Sequence, residues 1–322
     1  MELGYALSSE EHRPNDLVRH AQRAEEVGFT FALISDHFHP WVGRQGESPF
    51  VWCVIGGIAQ ATKHIRLGTG VTCPIMRLHP ALVAQAAATA ATMMPDRFFL
   101  GLGTGENLNE HILGQHWPPA AVRQDMLEEA VGVIRRLWQG GVQSWRGAHF
   151  TVENAELYTL PENLPPIYIA ASGPETAQLA ARISDGLINS SAGKESVEAF
   201  EGAGGHGKPR YGQLTVCWAK TEAEARKTAR EWWPIVGLKG ALHSELPLPA
   251  HFEQAGELVT EEMIAEAMVC GPDPEAHWKA IQEFVDAGYD HIYVHQVGPD
   301  QEGFFDFYQR ELLTQVEGVQ TR

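Results

Sequence analysis

The sequence predicts a (β/α)8 TIM barrel, an α/β fold in which eight parallel strands alternate with helices. The first observation is the order of the patterns, since eight short apolar runs alternate with helical patterns along the chain. The second is the length, because 322 residues accommodate a barrel of about 250 residues with insertions. The third is that no GxGxxG fingerprint follows the first run, as a dinucleotide-binding sheet would require. We therefore predict a single domain over residues 1–322.

The elements of the first half follow from apolar runs and helix-end signals. Runs without polar alternation are typical of strands that are covered on both faces. Gly28, directly after an amphipathic segment, is a typical helix-ending glycine. The predicted strands span 3–7, 29–34, 65–71 and 97–103, and the predicted helices span 15–27, 50–62, 80–93 and 123–138.

Two insertions interrupt the second half. Residues 142–160 alternate apolar and polar side chains around a turn, which predicts an inserted hairpin. Residues 235–258 contain prolines without a regular pattern, so we predict an irregular, substrate-side segment across 235–270. The remaining predicted strands span 166–171, 185–189, 213–218 and 291–294. One predicted helix begins at 174, another follows the seventh strand and ends near 233, and three more span 261–268, 274–287 and 304–316.

The composition excludes several classes of function. A formal net charge of −17 argues against binding to nucleic acid or to an anionic membrane surface. The N-terminal residues do not resemble a signal peptide, and no apolar run approaches the roughly 20 residues that span a bilayer. We therefore expect a cytoplasmic protein. The scattered cysteines predict neither a zinc site nor a disulfide framework, and we interpret Cys53 and Cys217 as core residues.

The strongest candidate site follows the second predicted strand. Asp36, His37, His39 and Trp41 arrive together directly after a buried apolar run. The carboxyl ends of barrel strands carry active sites, and a histidine can accept or donate a proton near neutral pH. A strand-end turn with a capping aspartate is an equally good interpretation of this stretch alone.

Two further strand ends are rich in glycine. Thr69-Gly70-Val71, followed by Cys73, could let a planar ring approach the backbone, or could be a simple bulge. The stretch 103–106, Gly-Thr-Gly-Glu, ends in a carboxylate that could donate a proton or cap the next helix. Taken alone, this second stretch favours the cap.

The fifth predicted strand ends in small residues. Ala170, Ala171, Ser172 and Gly173 precede a helix that begins with a proline, and free N–H groups at a helix N-terminus bind phosphate. Lys194 follows the next strand, although an isolated lysine is more often a solvated surface residue. No metal-binding spacing or GxSxG elbow occurs in the sequence. The residues therefore predict a barrel enzyme with a histidine base and a planar ligand that carries phosphate.

Five stretches occur in a fixed order along the chain: residues 35–41 (SDHFHPW), 67–71 (LGTGV), 99–106 (FLGLGTGE) with 108–110 (LNE), 168–174 (YIAASGP) and 184–186 (SDG). Together they resemble the luciferase-like, F420-dependent oxidoreductases, and most closely the F420-dependent glucose-6-phosphate dehydrogenase group.

The resemblance implies a (β/α)8 fold of the luciferase-like type and three catalytic side chains. His37 would deprotonate a substrate hydroxyl while hydride passes to the deazaflavin ring of coenzyme F420. Trp41 would shape the site beside it, and Glu106 would protonate the reduced ring. The backbone at Gly70-Val71 would form a bulge, often with a non-prolyl cis peptide, that supports the ring. The implied cofactor contacts are Asp36, Gly70, Val71, Cys73, Gly105, Glu106, Asn109, Ala170, Ala171, Ser172 and Gly173.

The substrate side departs from the sugar-phosphate dehydrogenases, which bind the substrate phosphate with two lysines and an arginine. The first lysine aligns with Lys194 and a neighbouring histidine with His243, and both are predicted substrate contacts together with Trp41. The second lysine aligns with Leu242 and the arginine with Ala267. Each lost charge-assisted hydrogen bond is worth roughly 1.5–3 kcal/mol. We therefore predict a non-phosphorylated alcohol or carbonyl compound as the substrate.

Three other functions remain open at this point: an F420-dependent sugar-phosphate dehydrogenase, an FMN-dependent luciferase-like monooxygenase, and a cofactor-binding protein without catalysis. The presence of His37, Trp41 and Glu106 favours the deazaflavin-dependent enzyme over the last two. The resemblance also implies a homodimer, and the apolar face of the predicted helix near 50–59 could supply its interface.

Overall fold

The computed structural model describes residues 1–238 and 240–315, and within them eight parallel strands form a closed barrel. Each strand pairs in parallel with the next one along the chain, and the eighth pairs with the first. The predicted fold is therefore confirmed. The barrel strands are β1 (Glu2–Leu7), β2 (Phe31–Ile34), β3 (Arg66–Thr69), β4 (Phe98–Leu102), β5 (Ile167–Ala170), β6 (Gly186–Asn189), β7 (Arg210–Cys217) and β8 (His291–Gln296).

Helices cover the outside of the barrel, and none of the described helices is long and apolar enough to cross a membrane. The helix Pro80–Met93 packs on the sheet through small side chains, which include the buried Ala84, Ala87 and Ala91. The described α-helices are Pro14–Val27, Val51–Ala61, Pro80–Met93, Asn107–Glu110, Ala120–Leu137, Pro174–Ile183, Lys194–Phe200, Glu222–Trp232, Leu242–Glu245, Pro249–Gly256, Glu261–Ala267, Pro274–Asp286 and Gln301–Tyr308. Short 3-10 helices span His111–Leu113 and Pro234–Gly237, and π-helical turns span Glu201–Gly205 and Gln309–Leu313.

The inserted hairpin is confirmed as an antiparallel pair, Gln143–Arg146 with Thr151–Ala155. Two other expectations were wrong. The segment predicted to be irregular contains the helices Leu242–Glu245 and Pro249–Gly256, because Pro249 occupies the first helical turn, where proline is tolerated. A helix, Lys194–Phe200, also follows β6 where none was predicted.

Smaller differences concern single residues and ends. Cys53 is exposed on its helix and is not a core residue, whereas Cys217 is buried as predicted. The last helix begins at Gln301, three residues earlier than predicted, because the Asp300 side chain accepts the N–H of Gly303. The predicted end of that helix at Val316 lies outside the described residues.

Aromatic rings fill the barrel at the amino ends of its strands. The Tyr211 ring lies 5.2 Å from Phe31, 5.3 Å from Phe99 and 5.1 Å from Tyr168 between ring centres, and all four residues are buried. Because this end of the barrel is packed with side chains, a ligand must enter from the carboxyl ends of the strands.

Candidate active site

A cavity of about 730 Å³ opens at the carboxyl ends of the barrel strands. Most of the residues predicted from the sequence meet in its lining. The predicted residues that line it are Asp36, His37, Trp41, Gly70, Val71, Cys73, Gly105, Glu106, Ala170, Ala171, Ser172 and His243. Asn109, Gly173 and Lys194 were also predicted, but they are not part of the lining.

His37 is held in one tautomer by two oxygen atoms. Its Nδ1 lies 3.2 Å from the backbone oxygen of His39 and 3.3 Å from Oε1 of Glu10. Both oxygens can only accept a hydrogen bond, so Nδ1 carries the hydrogen and Nε2 of the neutral ring keeps a free lone pair. The ring is therefore prepared to accept a proton at Nε2.

Glu10 is a buried carboxylate in the loop after β1. Its Oε2 accepts hydrogen bonds from the hydroxyls of Ser35 at 2.6 Å and Ser8 at 3.1 Å. Burial opposes the ionisation of Glu10, but the neighbouring His37 and the Ser35 hydroxyl outweigh burial, and the pKa of Glu10 lies below its ordinary value. Glu10 is therefore an anion beside the His37 imidazole.

Trp41 forms one wall of the cavity next to His37. The two rings lie 5.0 Å apart between centres, and Trp41 also makes edge contacts with Phe252 at 5.2 Å and His243 at 5.9 Å. The Trp41 backbone N–H donates to Oε1 of Gln45 at 2.8 Å. Packing on several sides fixes the indole beside His37.

Asp36 points away from His37 and binds a buried arginine. Its Oδ1 accepts from Nη2 of Arg77 at 2.8 Å, and its Oδ2 accepts from the Thr72 hydroxyl at 2.7 Å. The Arg77 backbone N–H donates to Oε2 of Glu110 at 2.7 Å, and Arg77 Nε lies 3.5 Å from Glu110 Oε1. One guanidinium thus lies between two buried carboxylates beneath the cavity.

The glycine stretch after β4 places Glu106 in the cavity lining. Gly105 has a φ of 70°, and a Cβ on it would lie only 2.5 Å from the Cys73 sulfur, so no other residue fits there. Asn109 Nδ2 donates to Oε2 of Glu106 at 3.3 Å, while Asn109 Oδ1 accepts the backbone N–H of Phe38 at 2.9 Å. Asn109 therefore ties Glu106 to the loop that carries His37.

The Gly70–Val71 peptide after β3 is cis, as the resemblance implied. Val71 lines the cavity. A Cβ on Gly103 would lie 2.7 Å from the Val71 side chain, so the glycine lets the two loops approach. Gly70, Val71 and Gly103 all line the cavity, and the two glycines leave the backbone on this side without covering side chains.

The end of β5 offers backbone donors. The helix Pro174–Ile183 begins after Gly173, which has no side chain to cap the free N–H groups of the first turn. Ser172, two residues before the start of this helix, lines the cavity. Lys194, by contrast, is largely exposed and lies 3.7 Å from Glu198 one helical turn later, because it begins a surface helix.

A sequence profile of the luciferase-like monooxygenase family matches residues 1–291. The chain belongs to this family. It is 35% identical to an F420-dependent glucose-6-phosphate dehydrogenase of Mycolicibacterium gilvum over 97% of each protein. It is 37% identical to an F420-dependent hydroxymycolic acid dehydrogenase of Mycobacterium tuberculosis, over 98% of this chain and 88% of the relative. A solved F420-dependent secondary alcohol dehydrogenase in complex with an F420-acetone adduct is 33% identical, with a TM-score of 0.90 and coverage of 97% of this chain and 98% of the other.

Two cavity carboxylates of this luciferase-like protein, Glu10 and Glu110, were not predicted as site residues. The available signal for Glu10 was its position just after the first strand, where barrel sites occur. Burial, with smaller contributions from the Glu106 and Asp36 carboxylates, raises the pKa of Glu110 to about 7 against the opposing effect of Arg77. Glu110 is therefore a buried group that can hold a proton near neutral pH.

Proposed function

We propose that this luciferase-like protein is an F420-dependent oxidoreductase that interconverts a non-phosphorylated alcohol and its carbonyl compound, with His37 as the general base. The predicted enzyme class and cofactor are confirmed by full-length relatives that are F420-dependent dehydrogenases. The observation that carries the proposal is the fixed tautomer of His37 in the cavity lining.

The cavity fits a planar cofactor that carries phosphate. The cis Gly70–Val71 peptide and the glycine at 103 provide a backbone surface for a ring. The small residues 170–172 and the N-terminus of the helix Pro174–Ile183 provide a place for phosphate. When bound, coenzyme F420 supplies a deazaflavin ring that accepts or donates a hydride.

Side chains of this protein accept and donate the protons of the reaction. In the direction of alcohol oxidation, His37 accepts the hydroxyl proton at Nε2, and the Glu10 carboxylate stabilises the imidazolium that forms. Trp41 keeps water from this pair. Glu106, oriented by Asn109, carries the proton that is exchanged at the cofactor.

The proposed substrate has no phosphate, because the three positions that bind phosphate in sugar-phosphate dehydrogenases do not form a site. Lys194 is exposed, and neither it nor Leu242 nor Ala267 is part of the cavity lining. The lining near Trp41 is supplied by Trp233 and Ile235, together with the polar His243. Such a wall favours an uncharged alcohol or ketone.

Cofactor titrations and a substrate screen test this function. We expect F420 to quench the intrinsic tryptophan fluorescence at micromolar concentrations and FMN to leave it unchanged. With F420, secondary alcohols should give saturable reduction at 420 nm, whereas glucose 6-phosphate should not. Binding of FMN without F420 would overturn the cofactor assignment, and turnover of glucose 6-phosphate with a micromolar KM would overturn the substrate class.

We also propose a homodimer, formed through the neighbouring helices Val51–Ala61 and Pro80–Met93. Phe50, Leu82 and Met93 expose 55%, 57% and 37% of their surface on these helices or at their ends. A contiguous exposed apolar surface marks a protein–protein contact, and the proposed interface would include these three side chains. Light scattering should give a dimer for the native chain and a monomer for Leu82→Glu, while Tyr158→Glu, an exposed control on the hairpin side, should stay dimeric. A monomeric native chain would contradict the proposal.

A further inference from the structure

Arg123 is a buried cation on the wall of the cavity. It lies in the first turn of the helix Ala120–Leu137, and its side chain is only 6% exposed. The guanidinium carbon lies 4.2 Å from the centre of the Trp117 ring. Nη1 donates to the backbone oxygen of Pro118 at 2.7 Å and lies 3.4 Å from Oε1 of Glu245. Among the described residues, Nε and Nη2 have no hydrogen-bond acceptor.

The charge balance of the cavity makes this arginine conspicuous. Within the described part of the chain, Arg123 is the only lysine or arginine in the lining, whereas Glu10, Asp36, Glu106 and Glu110 contribute carboxylates. The whole chain has a formal net charge of −17. An anionic ligand that enters such a cavity needs a local cation, since neighbouring carboxylates repel it.

The position of Arg123 indicates which part of the ligand it meets. The next residue, Gln124, donates through Nε2 to the hydroxyl of Thr176 at 2.9 Å, and Thr176 belongs to the first turn of the helix Pro174–Ile183. Gln124, Thr176 and Ser172 all line the cavity. Arg123 is thus on the wall where backbone N–H groups offer a place for phosphate.

We propose that Arg123 binds the anionic tail of coenzyme F420, through the phosphate or the first glutamate carboxylate, and that Glu245 competes with that tail for the guanidinium. This inference rests on the proposed function, because it assumes that F420 is the cofactor. Nη2, which has no acceptor among the described residues, can bind phosphate or carboxylate together with Nη1 once Glu245 leaves Nη1, since two guanidinium nitrogens form a two-pronged pair with such groups. Glu245 is half exposed, so it can turn to solvent when the tail arrives.

Two deazaflavin probes test the assignment without measuring turnover. One is F420 itself, and the other is its precursor, which contains the ring and the ribityl chain but lacks phosphate and glutamate. We expect Arg123→Met to weaken F420 binding by about 10- to 100-fold and to leave the affinity for the tail-less precursor unchanged. The dependence of F420 affinity on salt concentration should also become shallower in this variant.

Arg123→Lys should weaken F420 binding only several-fold, because lysine keeps the positive charge but not the planar donor geometry of arginine. This variant tests the role of Arg123 if Arg123→Met does not fold. Glu245→Gln should bind F420 at least as tightly as the native chain, because a competing carboxylate is removed. Equal weakening for both probes, or loss of F420 affinity in Glu245→Gln, would show that the Arg123–Glu245 pair is structural and would overturn the proposal. Failure of the native chain to bind either probe would instead refute the proposed function.

Discussion

Replacement of His37 by alanine is expected to lower kcat for alcohol oxidation by about 100-fold or more, because a positioned general base contributes that much to proton transfer. The F420 dissociation constant should change by less than about threefold, since the proposed role of the ring is at the substrate hydroxyl. Stopped-flow reduction of F420 at saturating alcohol measures the first quantity, and fluorescence titration measures the second.

The matched control is His39→Ala, two residues later in the same loop. The His39 ring bonds the backbone oxygen of Leu108 at 2.8 Å and is not part of the cavity lining, so kcat should fall only a few-fold. Glu10→Gln should keep the tautomer but lose the anion that stabilises the His37 imidazolium, which should lower kcat. If His37→Ala abolished cofactor binding instead of turnover, His37 would be a structural ligand and not a base.

Replacement of Arg77 by methionine is expected to lower the free energy of unfolding by about 3–5 kcal/mol, because it leaves two buried carboxylates without their cation. Asp36 and Glu110 both contact this guanidinium, and their side chains are 1% exposed. Urea unfolding followed by circular dichroism measures the loss. The control Arg135→Met removes a half-exposed pair with Asp185 and should cost no more than about 1 kcal/mol.

The loss in Arg77→Met should depend on pH in a defined direction. Burial already raises the pKa of Glu110 to about 7 in the presence of Arg77, and removal of the arginine takes away the opposing positive charge, so this pKa should rise further. At pH 5 Glu110 is protonated with or without Arg77, whereas at pH 8 the folded variant must either hold a buried negative charge on Glu110 or keep a proton that the unfolded chain releases. The destabilisation should therefore be larger at pH 8 than at pH 5. An equal loss of stability at pH 5 and pH 8 would mean that the protonation of Glu110 does not depend on Arg77.

The strand ends were the part of the site that could be predicted. His37, Gly70, Glu106 and Ser172 follow apolar runs, and a parallel barrel gathers the carboxyl ends of its strands at one mouth. Asn109 and Lys194 were harder to place, because the direction of a side chain on a short or unrecognised helix depends on where that helix begins. Asn109 bonds the loop of His37, and Lys194 faces solvent.

The sequence by itself determined the order of strands and helices, the hairpin, and the strand ends that carry polar residues, because these depend on local periodicity and on turn residues. Only the tertiary structure decided which charges pair. Asp36 was a neighbour of His37 in sequence, yet it binds Arg77, whereas Glu10 comes from another strand end to meet the histidine. Adjacent residues at a strand end point to opposite sides, and barrel closure brings distant loops together. Pairing of this kind follows from closure and leaves no local pattern in the chain.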